Sequence, residues 1–228
     1  MSEKTLVNKQ QRREELRREL SAQLVSPARV APPPGLSTRW PKLDRYLLWQ
    51  GLPKSALTLL VSEAGGATTL WQQSAGSVTK NGQWAAWIDD RQASFTPWSL
   101  RHRGVVLSRL LMVSPPSDEK QLLWAMQELM SLCLFELIGC DLGPLTLREH
   151  QLLKLKKLAM RYQTAVVFVS RQPRILKSSS YALVLHFLKE QVHVERALHR
   201  PTPHTFERRD LYADTLPLLA TGRRALCG

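Results

Sequence analysis

The chain has 228 residues, of which 43% are hydrophobic and 22% charged, a composition typical of globular proteins and unlike that of disordered or collagen-like chains. Lysine and arginine number 32 against 19 aspartate and glutamate, so the formal net charge is +13, and nucleic acid, followed by anionic lipid, is the expected partner. Three cysteines without a CxxC pair (Cys133, Cys140 and Cys227) predict neither a disulfide framework nor a zinc site.

The N-terminal segment, residues 1–25, is predicted to form a basic helix. Leu16, Leu20 and Leu24 recur at helical spacing and form one narrow apolar stripe. We expect this stripe either to contact a partner or neighbouring subunit, or to lie solvated beside the core. The segment lacks the apolar region of a secretory signal, and charged residues interrupt the longest apolar stretch, 122–140, so we expect a cytoplasmic protein without a membrane span.

A proline-rich stretch separates this helix from the rest of the chain. Residues 26–38 contain four prolines and one glycine, which disfavour a helix and predict an extended linker. We therefore expect a core over residues 39–200 and a basic tail over 201–228. Within the core, residues 39–48 are predicted to form a short helix.

Beyond residue 56, short apolar runs alternate with helical patterns. Runs that are apolar throughout are typical of strands buried on both faces, and the alternation predicts an α/β fold with a mostly parallel sheet between helices. The predicted strands are 56–61, 84–88, 110–113, 134–140 and 165–170, and the predicted helices are 68–80, 118–132 and 147–162.

The last third of the chain predicts an antiparallel hairpin at the edge of this sheet. Its strands are residues 181–188 and 191–198, extended by 204–208. Alternation in the second strand places Val192, Val194 and Arg196 on one face.

The turn after the first core strand occupies the position of a phosphate-binding P-loop. A working loop needs glycines for its tight turn, a lysine that neutralises phosphate charge and a serine or threonine that holds Mg²⁺. Ala67 stands where the lysine is required and Val61 where the first glycine is required. The residues that remain suited to a nucleotide are Gly65, Gly66, Thr68 and Thr69.

The order of these segments over residues 36–200, with the turn SEAGGATT and the following strand WAAWIDD, resembles the RecA-like core. More narrowly, it is similar to the ImuA family, SulA-like accessory proteins of bacterial translesion mutagenesis. The resemblance implies that Asp141 corresponds to the Walker B aspartate and Arg91 to the catalytic glutamate. It also implies that Arg171 or Gln172 corresponds to the polar sensor.

The lysine and the catalytic glutamate are therefore both replaced, by Ala67 and Arg91. We expect no ATPase activity and no required cofactor. Electrostatic clamps supply most of the catalysis in phosphoryl transfer, and alanine cannot replace lysine in that role. Nucleotide binding without hydrolysis stays open, because Lys54 or Arg91 could approach the loop.

Two basic groups are candidates for contact with the DNA backbone. The first group lies in the connection between the fifth strand and the hairpin, and the second lies in the chain beyond Val194. Aromatic residues that could stack on bases are sparse near the second group. Among the tryptophans, Trp40 and Trp49 are the better interface candidates. The proposed DNA contacts are Arg171, Arg174, Lys177, Arg196, Arg200, Arg208 and Arg209.

The resemblance implies a non-enzymatic accessory protein in DNA-damage-induced (SOS) translesion synthesis. Its implied partners are an ImuB-like Y-family polymerase homologue, an error-prone DNA polymerase III alpha-type subunit, RecA and the DNA backbone. Two alternatives stay open: a SulA-type inhibitor of cell division, and a nucleotide-dependent recombination mediator.

Overall fold

The computed structural model describes residues 35–62, 65–89, 95–114, 118–172, 178–198 and 200–212. In these residues the chain forms one eight-stranded sheet with helices on both faces. The predicted N-terminal helix with Leu16, Leu20 and Leu24 lies outside the described residues. Among the described helices, none is both long enough and apolar enough to cross a bilayer.

The helices and strands lie close to the positions that the sequence predicts. The helices are α1 (Pro41–Tyr46), α2 (Ala67–Lys80), α3 (Pro97–His102), α4 (Glu119–Ser131), α5 (Glu149–Tyr162) and α6 (Arg208–Tyr212). The strands are β1 (Leu57–Ser62), β2 (Trp84–Ile88), β3 (Leu110–Val113), β4 (Phe135–Asp141), β5 (Ala165–Ser170), β6 (Tyr181–Phe187), β7 (Gln191–Ala197) and β8 (His204–Glu207).

The strand order in the sheet is β3-β2-β4-β5-β1-β6-β7-β8. Strands β1 to β6 run parallel, and β7 is antiparallel to both of its neighbours. The predicted α/β class, the mostly parallel sheet and the antiparallel C-terminal hairpin are therefore confirmed. Every residue of β1 and of β5 is buried, as their continuous apolar runs require.

Each face of the sheet carries its own apolar core. The first face packs against α1, α2 and α3, through residues such as Leu43, Leu70 and Leu100. The second face packs against α4 and α5, through residues such as Met126 and Leu155. The chain leaves β1 towards the first face and leaves β4 towards the second face, so a crevice opens between the carboxyl ends of these strands.

Three aromatic rings and one glycine bring α2 close to the sheet. The ring centroids of Trp71 and Trp87 are 4.5 Å apart, and Phe95 stacks on Trp71 at 5.5 Å with an interplanar angle of 2°. Gly139, in the neighbouring strand β4, lies beneath both indoles, where any Cβ would collide with them. The missing side chain at position 139 therefore allows α2 to approach β4.

Some predictions were wrong in detail. Trp40 is fully buried in the core of the first face, whereas Trp98 and Trp124 are the exposed indoles. Of the two described cysteines, Cys140 is buried and Cys133 is exposed. Helix α3 was not predicted, although Pro97 occupies its first turn and the Thr96 side chain accepts a hydrogen bond from the Ser99 amide.

A β-bulge in the hairpin changes the alternation of β7. Val184 pairs with Arg196 and Leu185 with Val194, so Glu195 is the extra residue. After the bulge Ala197, rather than Arg196, joins Val192 and Val194 in the first core. The prediction that Arg196 shares the face of the two valines is therefore wrong.

The described part of the sheet ends in β3 on one side and in β8 on the other. Strand β3 leaves two apolar side chains in solvent, since Leu111 is 39% exposed and Met112 is 45% exposed. At the opposite end, β8 extends the sheet into the segment predicted as a tail, and α6 follows it. Leu36, which belongs to the stretch predicted as a linker, forms a β-bridge with Leu52.

We predict that Gly139→Ala lowers the free energy of unfolding by about 1–3 kcal/mol, because the new methyl group would overpack the Trp71–Trp87 contact. Urea unfolding followed by tryptophan fluorescence measures this loss. Gly82→Ala is the control, since a Cβ at Gly82 meets nothing within 4 Å and carries only the strain of its positive φ of 82°. Wild-type stability in Gly139→Ala would contradict the assigned packing.

Candidate functional site

A cavity of about 310 Å³ opens at the carboxyl ends of β1, β4 and β5. This is the crevice between connections that leave the sheet towards opposite faces, where α/β proteins bind their ligands. The described residues that line it are Ser62, Gly65, Ala67, Thr68, Asp141, Val169 and Arg171.

The loop that leads from β1 to α2 forms one wall of the cavity. Gly65 and Gly66 have φ angles of 78° and 107°, which favour glycine. Ala67, the first residue of α2, is 1% exposed, and Thr68 follows it at the cavity. Thr69, the next residue, is half-buried and does not line the cavity. The described end of the loop thus has two glycines with positive φ angles and no cationic side chain at position 67.

Asp141 lies across the cavity from this loop, at the end of β4. Its Oδ1 atom accepts a hydrogen bond of 2.9 Å from the Gly143 amide, which fixes the carboxylate at the turn. Ser62, the last residue of β1, is 7% exposed, and its hydroxyl has no hydrogen-bond partner among the described residues. The cavity therefore offers one carboxylate and two hydroxyls, those of Ser62 and Thr68.

The structure distinguishes between the two residues proposed as the polar sensor. Arg171, just beyond β5, is exposed and lines the cavity. Gln172 instead donates a hydrogen bond of 3.2 Å to the Pro144 carbonyl and contacts the Thr146 hydroxyl. Arg171 is thus the cation at the cavity wall, and Gln172 connects β5 to the turn after β4.

Arg208 approaches the same loop from the side of the hairpin. Its Nη1 atom donates to the carbonyls of Leu188 and Lys189, at 3.1 and 3.2 Å. Its Nη2 atom lies 2.5 Å from the place that a Cβ on Gly66 would occupy. The guanidinium therefore packs against the loop and is hydrogen-bonded to the β6–β7 turn. Arg208 is not among the described residues that line the cavity.

Lys54, considered above as a substitute for the lost lysine, lies elsewhere. Its Nζ atom forms an ion pair of 2.8 Å with Glu136 at the beginning of β4, beside a second cavity of about 360 Å³. This is the amino edge of the parallel strands, so Lys54 is excluded as a substitute. Arg91, the other residue considered, lies outside the described residues.

The predicted DNA contacts occupy several places. Arg174 and Lys177 lie outside the described residues, but the chain just beyond them is anchored at Ser178 and Ser180. Arg196 donates to the Ser178 carbonyl, and the Ser180 hydroxyl donates to Glu149 at 2.6 Å. Hydrogen bonds from the Ser178 and Ser180 hydroxyls lower the pKa of Glu149. Arg200 and Arg209 are exposed.

A group of aromatic rings that the sequence did not reveal lies beside Arg200. Tyr46 of α1 stacks on His204 of β8 with centroids 4.3 Å apart and an interplanar angle of 13°, and Phe206 meets both rings edge-on. The Arg200 guanidinium lies over the Tyr46 ring, 6.0 Å from its centroid. We call Tyr46, His204 and Phe206 the aromatic platform. Because 158 residues separate Tyr46 from His204, no local sequence pattern could have predicted it.

Comparison with protein-family models and with curated proteins finds no match to the sequence. Across the described ranges, no group of three or more His, Cys, Asp or Glu side chains could hold a metal ion. The functional argument therefore depends on the cavity, on the positions of the arginines and on the aromatic platform.

We predict that Gly66→Ala destabilises the protein more than Gly65→Ala does. Both substitutions force a side chain into a positive-φ conformation, at a cost of about 1 kcal/mol. A Cβ at Gly66 would also collide with Arg208 and lie 3.0 Å from Phe187. A Cβ at Gly65 meets nothing within 4 Å. Thermal unfolding of the two variants provides the comparison, and equal losses would show that Arg208 does not pack against the loop.

Proposed function

We propose that the chain is a non-catalytic accessory protein with a RecA-like fold that acts in DNA-damage-induced translesion synthesis. The observation that carries this proposal is the composition of the first cavity. Gly65, Thr68 and Asp141 line one cavity, as the resemblance to a nucleotide site requires, while a buried alanine occupies position 67.

The loss of charge at position 67 has a direct energetic consequence. A triphosphate held by the loop would lack the ammonium group that neutralises its β- and γ-phosphates, and such clamps supply most of the rate enhancement in phosphoryl transfer. Two other cations are engaged elsewhere. Lys54 is paired with Glu136 at the amino ends of the parallel strands, and Arg208 donates hydrogen bonds to carbonyls of the hairpin. Arg171 is the cation in the cavity wall.

The charge distribution supports a polyanionic partner. The chain carries a formal charge of +13, and Arg171 begins a connection that also contains Arg174 and Lys177. Contacts of this kind bind the phosphate backbone without reading sequence. The accessory role further assigns three protein partners by resemblance: an ImuB-like polymerase homologue, an error-prone DNA polymerase III alpha-type subunit and RecA.

We predict that the purified chain releases no phosphate from ATP above the level of an Asp141→Asn variant, because the loop lacks its lysine. Phosphate release with and without DNA, together with an ATP titration, tests this. Phosphate release that is above background in the wild type and absent in Asp141→Asn would contradict the accessory role and indicate an ATP-driven mediator.

We predict that Arg171→Gln weakens DNA binding and lowers the slope of log affinity against log salt by about 0.7–0.9, the contribution of one phosphate contact. Fluorescence anisotropy over a series of salt concentrations measures the slope. Arg161→Gln is the matched control, because Arg161 is an exposed arginine on α5 away from the cavity. If Arg171→Gln and Arg161→Gln change the affinity for DNA and the salt slope equally, DNA does not contact the protein at Arg171.

A further inference from the structure

The aromatic platform and its surroundings form a second candidate contact for nucleic acid, separate from the first cavity. Tyr46 and Phe206 are partly buried against the core of the first face, so the core fixes two of the three rings while each keeps part of its surface in solvent. Rings held in this way lose little conformational entropy when a ligand stacks on them.

One arginine contacts the platform, and two others are close to it in the sequence. Arg200 lies over the Tyr46 ring, Arg45 precedes Tyr46 in α1, and Arg209 follows strand β8 by two residues. All three arginines are exposed.

The carboxylates nearby already have partners. Asp210 forms an ion pair of 3.2 Å with Lys42, and Glu207 accepts a hydrogen bond of 2.9 Å from Gln191. Asp44 accepts hydrogen bonds from Ser37 and Thr38. Only Asp210 is neutralised by a cation, because the partners of Glu207 and Asp44 are neutral groups. Three exposed arginines therefore stand against two charged carboxylates, and the described charges near the platform sum to a positive value.

Base-stacking rings beside clustered arginines are the combination by which proteins bind single-stranded nucleic acid without sequence preference. We infer that the aromatic platform stacks an unpaired base of single-stranded DNA while Arg200 and its neighbouring arginines contact the flanking phosphates. The inference rests on the proposed function for the nature of the ligand, but it places the contact on residues of α1 and β8 that do not line the first cavity.

The test compares single-stranded oligothymidylate with an abasic strand of the same length, which carries the same phosphates but no bases. Wild-type protein should bind the oligothymidylate about 5- to 100-fold more tightly, the range expected for stacking on one base. His204→Ala should bind both strands with the affinity that the wild type has for the abasic strand. Tyr162→Ala is the matched control, because Tyr162 also has an arginine over its ring, at 5.6 Å, and should bind as the wild type does.

Tyr46→Phe separates stacking from a purely structural role of the platform. The Tyr46 hydroxyl donates to the Pro201 carbonyl, so this variant removes a bond to the turn before β8 but keeps the ring. Tyr46→Phe should bind oligothymidylate with wild-type affinity. A loss of affinity as large as that caused by His204→Ala would overturn the inference.

Equal binding of both strands by the wild type would also overturn the inference and would leave the proposed DNA binding intact. That comparison needs no variant, so it holds even if His204→Ala fails to fold. If neither strand binds at low salt, both the inference and the proposed DNA binding are wrong.

Discussion

The contact of Trp71 and Trp87 with Gly139 determines the geometry of the candidate site. Trp71 belongs to α2 and Gly139 to β4, so their close approach fixes the distance between this helix and this strand. The beginning of α2 carries Ala67 and Thr68, and β4 ends two residues after Gly139 at Asp141. The position of Ala67 and Thr68 relative to the Asp141 carboxylate therefore depends on apolar packing.

Arg208 and Arg171 approach the loop and its cavity from different elements. In a phosphate-binding loop the charge that neutralises the ligand must be close to the turn. Here Arg208 packs against the turn from the side of the hairpin and is held by two carbonyls, while Arg171 approaches from the end of β5. Arg208 thus connects three chain segments. It directly follows β8, its guanidinium donates hydrogen bonds to the β6–β7 turn, and it packs against the loop. The same type of side chain thus stabilises the fold at one position and remains open to solvent at the other.

The sequence predicted the local structure well because apolar runs and helical spacing are local patterns. Strands β2, β3 and β5 begin and end as predicted, and β4 differs by one residue at each end. It could not predict features that depend on distant contacts. The burial of Trp40, the bulge at Glu195 and the stacking of Tyr46 on His204 all arise from contacts between separate elements. The resemblance assigned Asp141 and residues of the loop to one site, and in the structure they line one cavity because the carboxyl ends of parallel strands share an edge.

The exposed edge at β3 has a consequence for how the protein behaves at high concentration. Leu111 and Met112 leave an apolar strand whose outer backbone groups can pair with another strand. The excess of 13 positive charges opposes the approach of a second copy, but this repulsion extends only over about 10 Å at 0.1 M salt. A buffer of high ionic strength therefore weakens this repulsion, so self-association through β3 should increase with the salt concentration.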